Sequence, residues 1–171
     1  MTTHIEWYER TELLQAALAG DGAFLIVNGP DGRPNPMTIG WAQVGVVWSR
    51  PMMSVLVRES RFTHACIEAA ESFTVSVPRP GTMRDELAIC GCRSGRDTDK
   101  IAECSLAVRE GLQVDTPVLS DCALHYECRI VVRTQQARAD FSADDVLDAY
   151  YPQGDHHLIV YGEIVAAYLE E

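Results

Sequence analysis

Apolar residues in this chain come in short runs, each closed within a few positions by Gly, Pro, Asn or Asp, and this punctuation limits the fold more than any other feature. Residues 23–27 form one compact run, ended by Asn28-Gly29-Pro30-Asp31-Gly32. A second run covers 37–48 and reads with the first as a β-hairpin. Ser49-Arg50-Pro51 predicts the next turn, and residues 52–57 are β-branched enough for a third strand. Strand character returns over 72–77, which Pro78 and Pro80 end, and again over 124–134 and 157–168.

Helical spacing is confined to short stretches. Leu13, Leu14, Ala17 and Leu18 predict a helix over 11–19, stopped by Gly20-Asp21-Gly22. Ala65, Cys66, Ala69 and Ala70 predict another after Ser60, and 143–150 a third. Residues 81–117 read as loops with one or two short helices. Six or so strands, many turns and few helices point to a mainly β, antiparallel barrel, closed or partly closed, because closure removes exposed strand edges. A lipocalin-like barrel fits that count as well. Strands and helices do not alternate and no GxGxxG follows a strand, so a Rossmann unit is absent.

At 171 residues the chain is sized for one domain. No apolar run approaches the roughly 18–20 residues of a membrane span, and the first ten residues are too polar for a secretory signal, so the expected setting is the cytoplasm, with no membrane partner. A net charge of -11 disfavours nucleic acid, whose binding relies on many basic contacts. The cations are arginines apart from Lys100, so a phosphate would have to meet a local arginine cluster. Six cysteines without an export signal read as buried thiols, and Cys90-Gly91-Cys92 lacks the partner pair a metal site needs, so no metal is expected.

Four segments can carry chemistry. In Asn35 to Trp41, Gly40 within a strand marks a bulge or the close approach of something flat, with Trp41 as a wall; taken alone, such a pair is more often packing than a ligand site. Around Arg58, Ser60, Arg61 and Thr63, two arginines and two hydroxyls meet a helix N-terminus, which is either an anion site or an ordinary cap flanked by solvated arginines. Arg96 and Lys100 lie in a loop of mixed charge that either pairs internally or closes over a phosphate. In Gly154-Asp155-His156-His157, Asp155 can orient a ring, and two adjacent strand histidines point to opposite faces, so only one faces a given site. A Ser-His-Asp hydrolase is disfavoured, since no GxSxG elbow is present.

Taken in this order, Asn35 to Trp41, Arg50 to Thr63, Phe73 to Pro78, Ser94 to Lys100, Gly154-Asp155-His156 and Gly162-Glu163-Ile164 resemble the flavin reductase-like family, which includes flavoredoxins. The resemblance implies one domain over 1–171, with an N-terminal helix in 1–20 and an FMN-binding split β-barrel of Greek-key type over 23–168. It implies a homodimer, an FMN cofactor, and NADH or NADPH as a transient electron donor to an NAD(P)H:flavin oxidoreductase. A flavoredoxin-type carrier, exchanging electrons with a protein partner, is the alternative. By position, Thr38, Ile39, Gly40 and Trp41 would line the flavin, and Ser60, Arg61 and Thr63, helped by Arg58, would hold its phosphate. Lys100 and Arg96 would belong to the covering loop. The family histidine stands five residues before the strand glycine; that spacing to Gly162 selects His157, whereas adjacency to Asp155 selects His156, and register favours His157.

Overall fold

The computed structural model describes residues 1–170. Among the described residues there are ten strands: β1 (Thr2–His4), β2 (Ala23–Asn28), β3 (Pro34–Ile39), β4 (Ala42–Val47), β5 (Arg50–Arg58), β6 (Ser72–Val77), β7 (Val108–Arg109), β8 (Val118–Leu119), β9 (Leu124–Gln135) and β10 (His157–Glu170). Among them lie α1 (Thr11–Ala19), α2 (Phe62–Ala69), α3 (Arg84–Cys92), α4 (Lys100–Glu103) and α5 (Asp144–Tyr150). Eight strands form one antiparallel sheet in the order β3-β2-β6-β9-β10-β5-β4, with β1 added against the end of β10; β7 and β8 pair separately.

The apolar run of β2 is continuous because both of its faces are covered. Leu25 and Val27 join the main core with Met53, Val55, Phe73, Val75, Tyr126 and Val160, whereas Phe24 and Ile26 pack beneath α3 against Leu87, Cys90, Leu119 and Cys122. The first ten residues also contribute to the sheet, contrary to their reading as a helix and its lead-in: Thr2 pairs with Glu170.

The expected single run over 37–48 is two strands. β3 is one edge of the sheet and β4 the other, yet only Gly40 and Trp41 separate them. Three peptide units span at most about 11 Å, so the sheet must roll until its edges meet at this corner. No ladder joins β3 to β4 among the described residues, so the barrel is split and not closed. The seam opens beside the register pair His157 and Arg58, which fixes those two residues at the same level of neighbouring strands.

Candidate functional site at the barrel seam

A cleft of about 220 Å³ occupies the seam, lined by Met37 to Trp41 along one side, by Leu56, Arg58 and Arg61 on the other, and by His157. The ladders stop at Ile39 and resume at Ala42, which leaves the backbone of Gly40 and Trp41 outside strand pairing. A side chain built at Gly40 would meet nothing within 4 Å, so this stretch of main chain is open to a ligand. Trp41, 40% exposed, lies 5.1 Å from the His157 ring and edge-on to Tyr150 at the same separation.

The polar groups of the cleft are held from behind. Arg61 donates to the last carbonyls of α3, Gly91 O at 2.6 Å and Cys90 O at 3.0 Å, and so compensates groups that a helix end leaves unpaired. Burial lowers its pKa from the ordinary value. Arg58 donates to Asp155 O and Tyr150 O and lies 5.2 Å over the Tyr151 ring. His157 is 6% exposed, with Nδ1 2.7 Å from the Tyr151 hydroxyl. Burial first, then the Arg58 charge, pull its pKa down to about 4, so the ring is neutral at pH 7.

A model of the flavin reductase like domain matches residues 19–171. The chain belongs to this family. An uncharacterized protein of Archaeoglobus fulgidus is 31% identical over 142 residues, 83% of this chain and 68% of that protein. Flavoredoxin from Methanosarcina acetivorans superposes with a TM-score of 0.66 at 30% identity, covering 87% of this chain and 68% of that one. An FMN-binding flavin reductase-like domain from Shewanella baltica gives a TM-score of 0.68 at 17% identity over 99% of this chain and 77% of its own, a likeness of fold alone.

Within this flavin reductase-like domain the residues singled out in the sequence divide into four groups. Thr38, Ile39, Gly40, Trp41, Arg58, Arg61 and His157 meet in the seam cleft. His156 does not: it stacks on Tyr151, with ring centroids 5.1 Å apart, and faces Phe141. Ser60 and Thr63 point elsewhere. Both the amide and the hydroxyl of Ser60 donate to the Asp155 carboxylate at 2.8 Å, and the buried Thr63 hydroxyl accepts from Asn35 Nδ2. Asp155 therefore staples the β5–α2 turn from a left-handed position, φ 59°, and does not orient a histidine ring. Arg96 and Lys100 line a second cavity of about 510 Å³ with Asn35, Phe62 and Gly95, and Arg96 donates to Ser60 O. Lys100 is 3% exposed, and burial depresses its pKa.

Tyr151 and Leu56 went unmarked in the sequence. Leu56 sits in a strand that already reads as core, and Tyr151 follows a short helix without any motif of its own. A paired Tyr150-Tyr151 six residues ahead of a strand histidine is the one available signal.

Proposed function

We propose that the seam cleft binds FMN and that the protein is an NAD(P)H-dependent flavin oxidoreductase, passing electrons from NADH or NADPH to an acceptor. The observation that carries this reading is the conjunction, in one cleft, of an unpaired main-chain stretch at Gly40 and Trp41, two arginines and a neutral histidine. A flat heteroaromatic ring with a polar edge fits that set: apolar Ile39, Leu56 and Trp41 for its faces, main-chain groups and N–H donors for its rim. Bound FMN supplies the hydride and electron chemistry. Trp41, Thr38 and Ile39 would hold the ring, Arg61 would counter negative charge, and Arg96 and Lys100 would add charge from the second cavity.

A carrier of flavoredoxin type is the second reading, favoured by 30% identity to a flavoredoxin over 87% of the chain. Purified protein reconstituted with FMN and mixed anaerobically with NADH or NADPH separates the two. Rapid bleaching of the flavin band supports the oxidoreductase; bleaching only with a reduced protein partner supports the carrier; protein that binds no FMN overturns both.

The cleft is smaller than the roughly 300–1,000 Å³ of complete ligand sites, and the edge strand β4 that starts from its Trp41 corner carries exposed apolar residues. On β4 and its turn, Val46 is 63% exposed and Trp48 60%. A second copy of the chain covering β4 would bury this edge and wall the cleft, so we read the working form as a homodimer. Trp48→Glu combined with Val46→Glu is expected to give a monomer in light-scattering chromatography. An undisturbed dimer would place the interface elsewhere.

Arg61→Ala is expected to weaken FMN binding by about 10-fold or more, in line with about 1.5–3 kcal/mol for a charge-assisted hydrogen bond. Arg33→Ala should change it less than about twofold, since Arg33 is paired with Asp31 in an exposed turn. Equal dissociation constants in a fluorescence titration would remove Arg61 from the site.

A further inference from the structure

His157 has two ring nitrogens in different surroundings. Nδ1 contacts the Tyr151 hydroxyl at 2.7 Å, while Nε2 has no partner among the described residues and belongs to a ring that lines the cleft. Tyr151 is 4% exposed at the end of α5, so its hydroxyl has few alternatives. The other available one is Gln136 Oε1, at 3.4 Å. O–H···O bonds cluster at about 2.5–3.0 Å, so Gln136 is a poor acceptor at this distance and the hydroxyl proton goes to the nearer imidazole nitrogen. Gln136 with its amide turned over would donate to the same phenol oxygen, which reinforces that direction.

We propose that Tyr151 is a positioning residue: by donating to Nδ1 it locks His157 in the tautomer whose Nε2–H points into the cleft, where it donates to bound cofactor or electron acceptor. The cofactor half of this inference rests on the FMN reading above; the tautomer half does not. A neutral imidazole accepts at one nitrogen and donates at the other, so fixing the first decides the second. The groups facing the ring come from every neighbouring element: Arg58 from β5, Trp41 from the corner between β3 and β4, Tyr151 from the end of α5, and Asp155 and His156 from the turn before β10. Arg58 and burial keep the ring neutral, which preserves the single-donor arrangement across the pH range of most assays. With two guanidiniums and this N–H, the cleft presents donors to whatever occupies it and so favours a group that gains electron density.

Long-range proton–nitrogen correlation spectra of the histidine side chains, taken on the FMN-free protein at pH 7 and assigned with a His157→Gln variant, read the tautomer directly. We expect His157 to show a protonated Nε2 and a bare Nδ1. In Tyr151→Phe the lock is gone, and a mixture with protonated Nδ1 should appear. Loaded with FMN, Tyr151→Phe should reduce about fivefold more slowly, the worth of one hydrogen bond of about 1 kcal/mol, with a shifted flavin absorption band. A protonated Nδ1 in the unsubstituted protein, or an unchanged tautomer in Tyr151→Phe, would overturn the assignment. The expected tautomers in a protein that fails to bind FMN would leave the lock standing and remove only the cofactor reading.

Discussion

Glu127→Ala is expected to lower the stability of the protein by roughly 3–5 kcal/mol, the range for an uncompensated buried polar cluster. Glu127 is the fourth of the 12 residues of β9 and has no exposed surface. Its carboxylate accepts from the amides of Leu112, Gln113 and Val114 at 2.7, 2.7 and 3.1 Å and from the Tyr168 hydroxyl at 2.7 Å. One side chain therefore satisfies three main-chain donors of a loop that has no strand partner there, and removing it strands them together with a buried phenol. Gly111 is tied to the same arrangement, since a Cβ there would come within 2.4 Å of Val114 O. Glu127→Gln should cost less, about 1–3 kcal/mol, because the amide keeps one oxygen and Tyr168 can rotate to accept, which leaves a single amide unpaired. In a domain of this size the alanine variant should melt roughly 10 °C lower. Circular dichroism on heating and in urea measures both, and an alanine variant within 1 kcal/mol of the unsubstituted protein would mean that the loop finds water in its place.

The parts of the fold that could be read in the sequence are those decided by local burial. β2 and β6 are legible because every residue between Ala23 and Val27 and between Phe73 and Val77 is buried, so composition alone marks them. The β4–β5 turn, expected at Ser49-Arg50-Pro51, is legible in its existence but not in its exact position. It is made by Trp48 and Ser49, both left-handed at φ 53° and 56°, where neither residue is one that favours this conformation. The proline at 51, which suggested the turn, sits inside β5 beyond the last pair that β5 makes with β10, where a missing N–H costs little. β1 was hidden for another reason: Thr-Thr-His has no apolar alternation, and its partner lies at the other end of the chain.

The same division runs through the site. Thr38, Ile39, Arg58 and His157 are carried to the seam by strand register, which follows from a pattern of period two, and Gly40, Trp41 and Arg61 reach it from the corner and the turn that continue those strands. Ser60 and Thr63 drop away because their hydroxyls are claimed by Asp155 and Asn35, residues separated from them by 95 and 28 positions. A helix N-terminus with two hydroxyls is an anion site only if nothing else reaches those hydroxyls first, and distant partners are not visible along a sequence.

His125 makes the stability of the fold depend on pH in a window where most carboxylates are still ionised. The side chain has no exposed surface; Nδ1 meets Ser76 Oγ at 3.0 Å, and Nε2 is buried without a partner. Ser76 Oγ also accepts from Leu119 N, so the ring is held in a buried network that seats it in the neutral form. Burial above all, with Arg109 and Arg79 adding like charge against the opposing pull of Glu170, lowers its pKa from 6.5 to about 4. Between those values the unfolded chain binds a proton that the folded one refuses, so unfolding is favoured as pH falls, and stability present above 6.5 is lost on the way to 4. A displacement of that size corresponds to roughly 3 kcal/mol. Replacing the ring by a side chain that does not titrate should remove this slope while leaving the contributions of the carboxylates in place. Urea unfolding of the protein and of His125→Gln at pH 7 and pH 4 is therefore expected to differ in the change with pH by about 3 kcal/mol, whatever the variant loses at pH 7. His157, also lowered to about 4, acts in the same direction, so a second variant, His157→Gln in the His125→Gln background, should flatten the profile further. Parallel pH profiles for the protein and His125→Gln would show that the buried ring accepts its proton in the folded state, with Glu170 or water reaching Nε2.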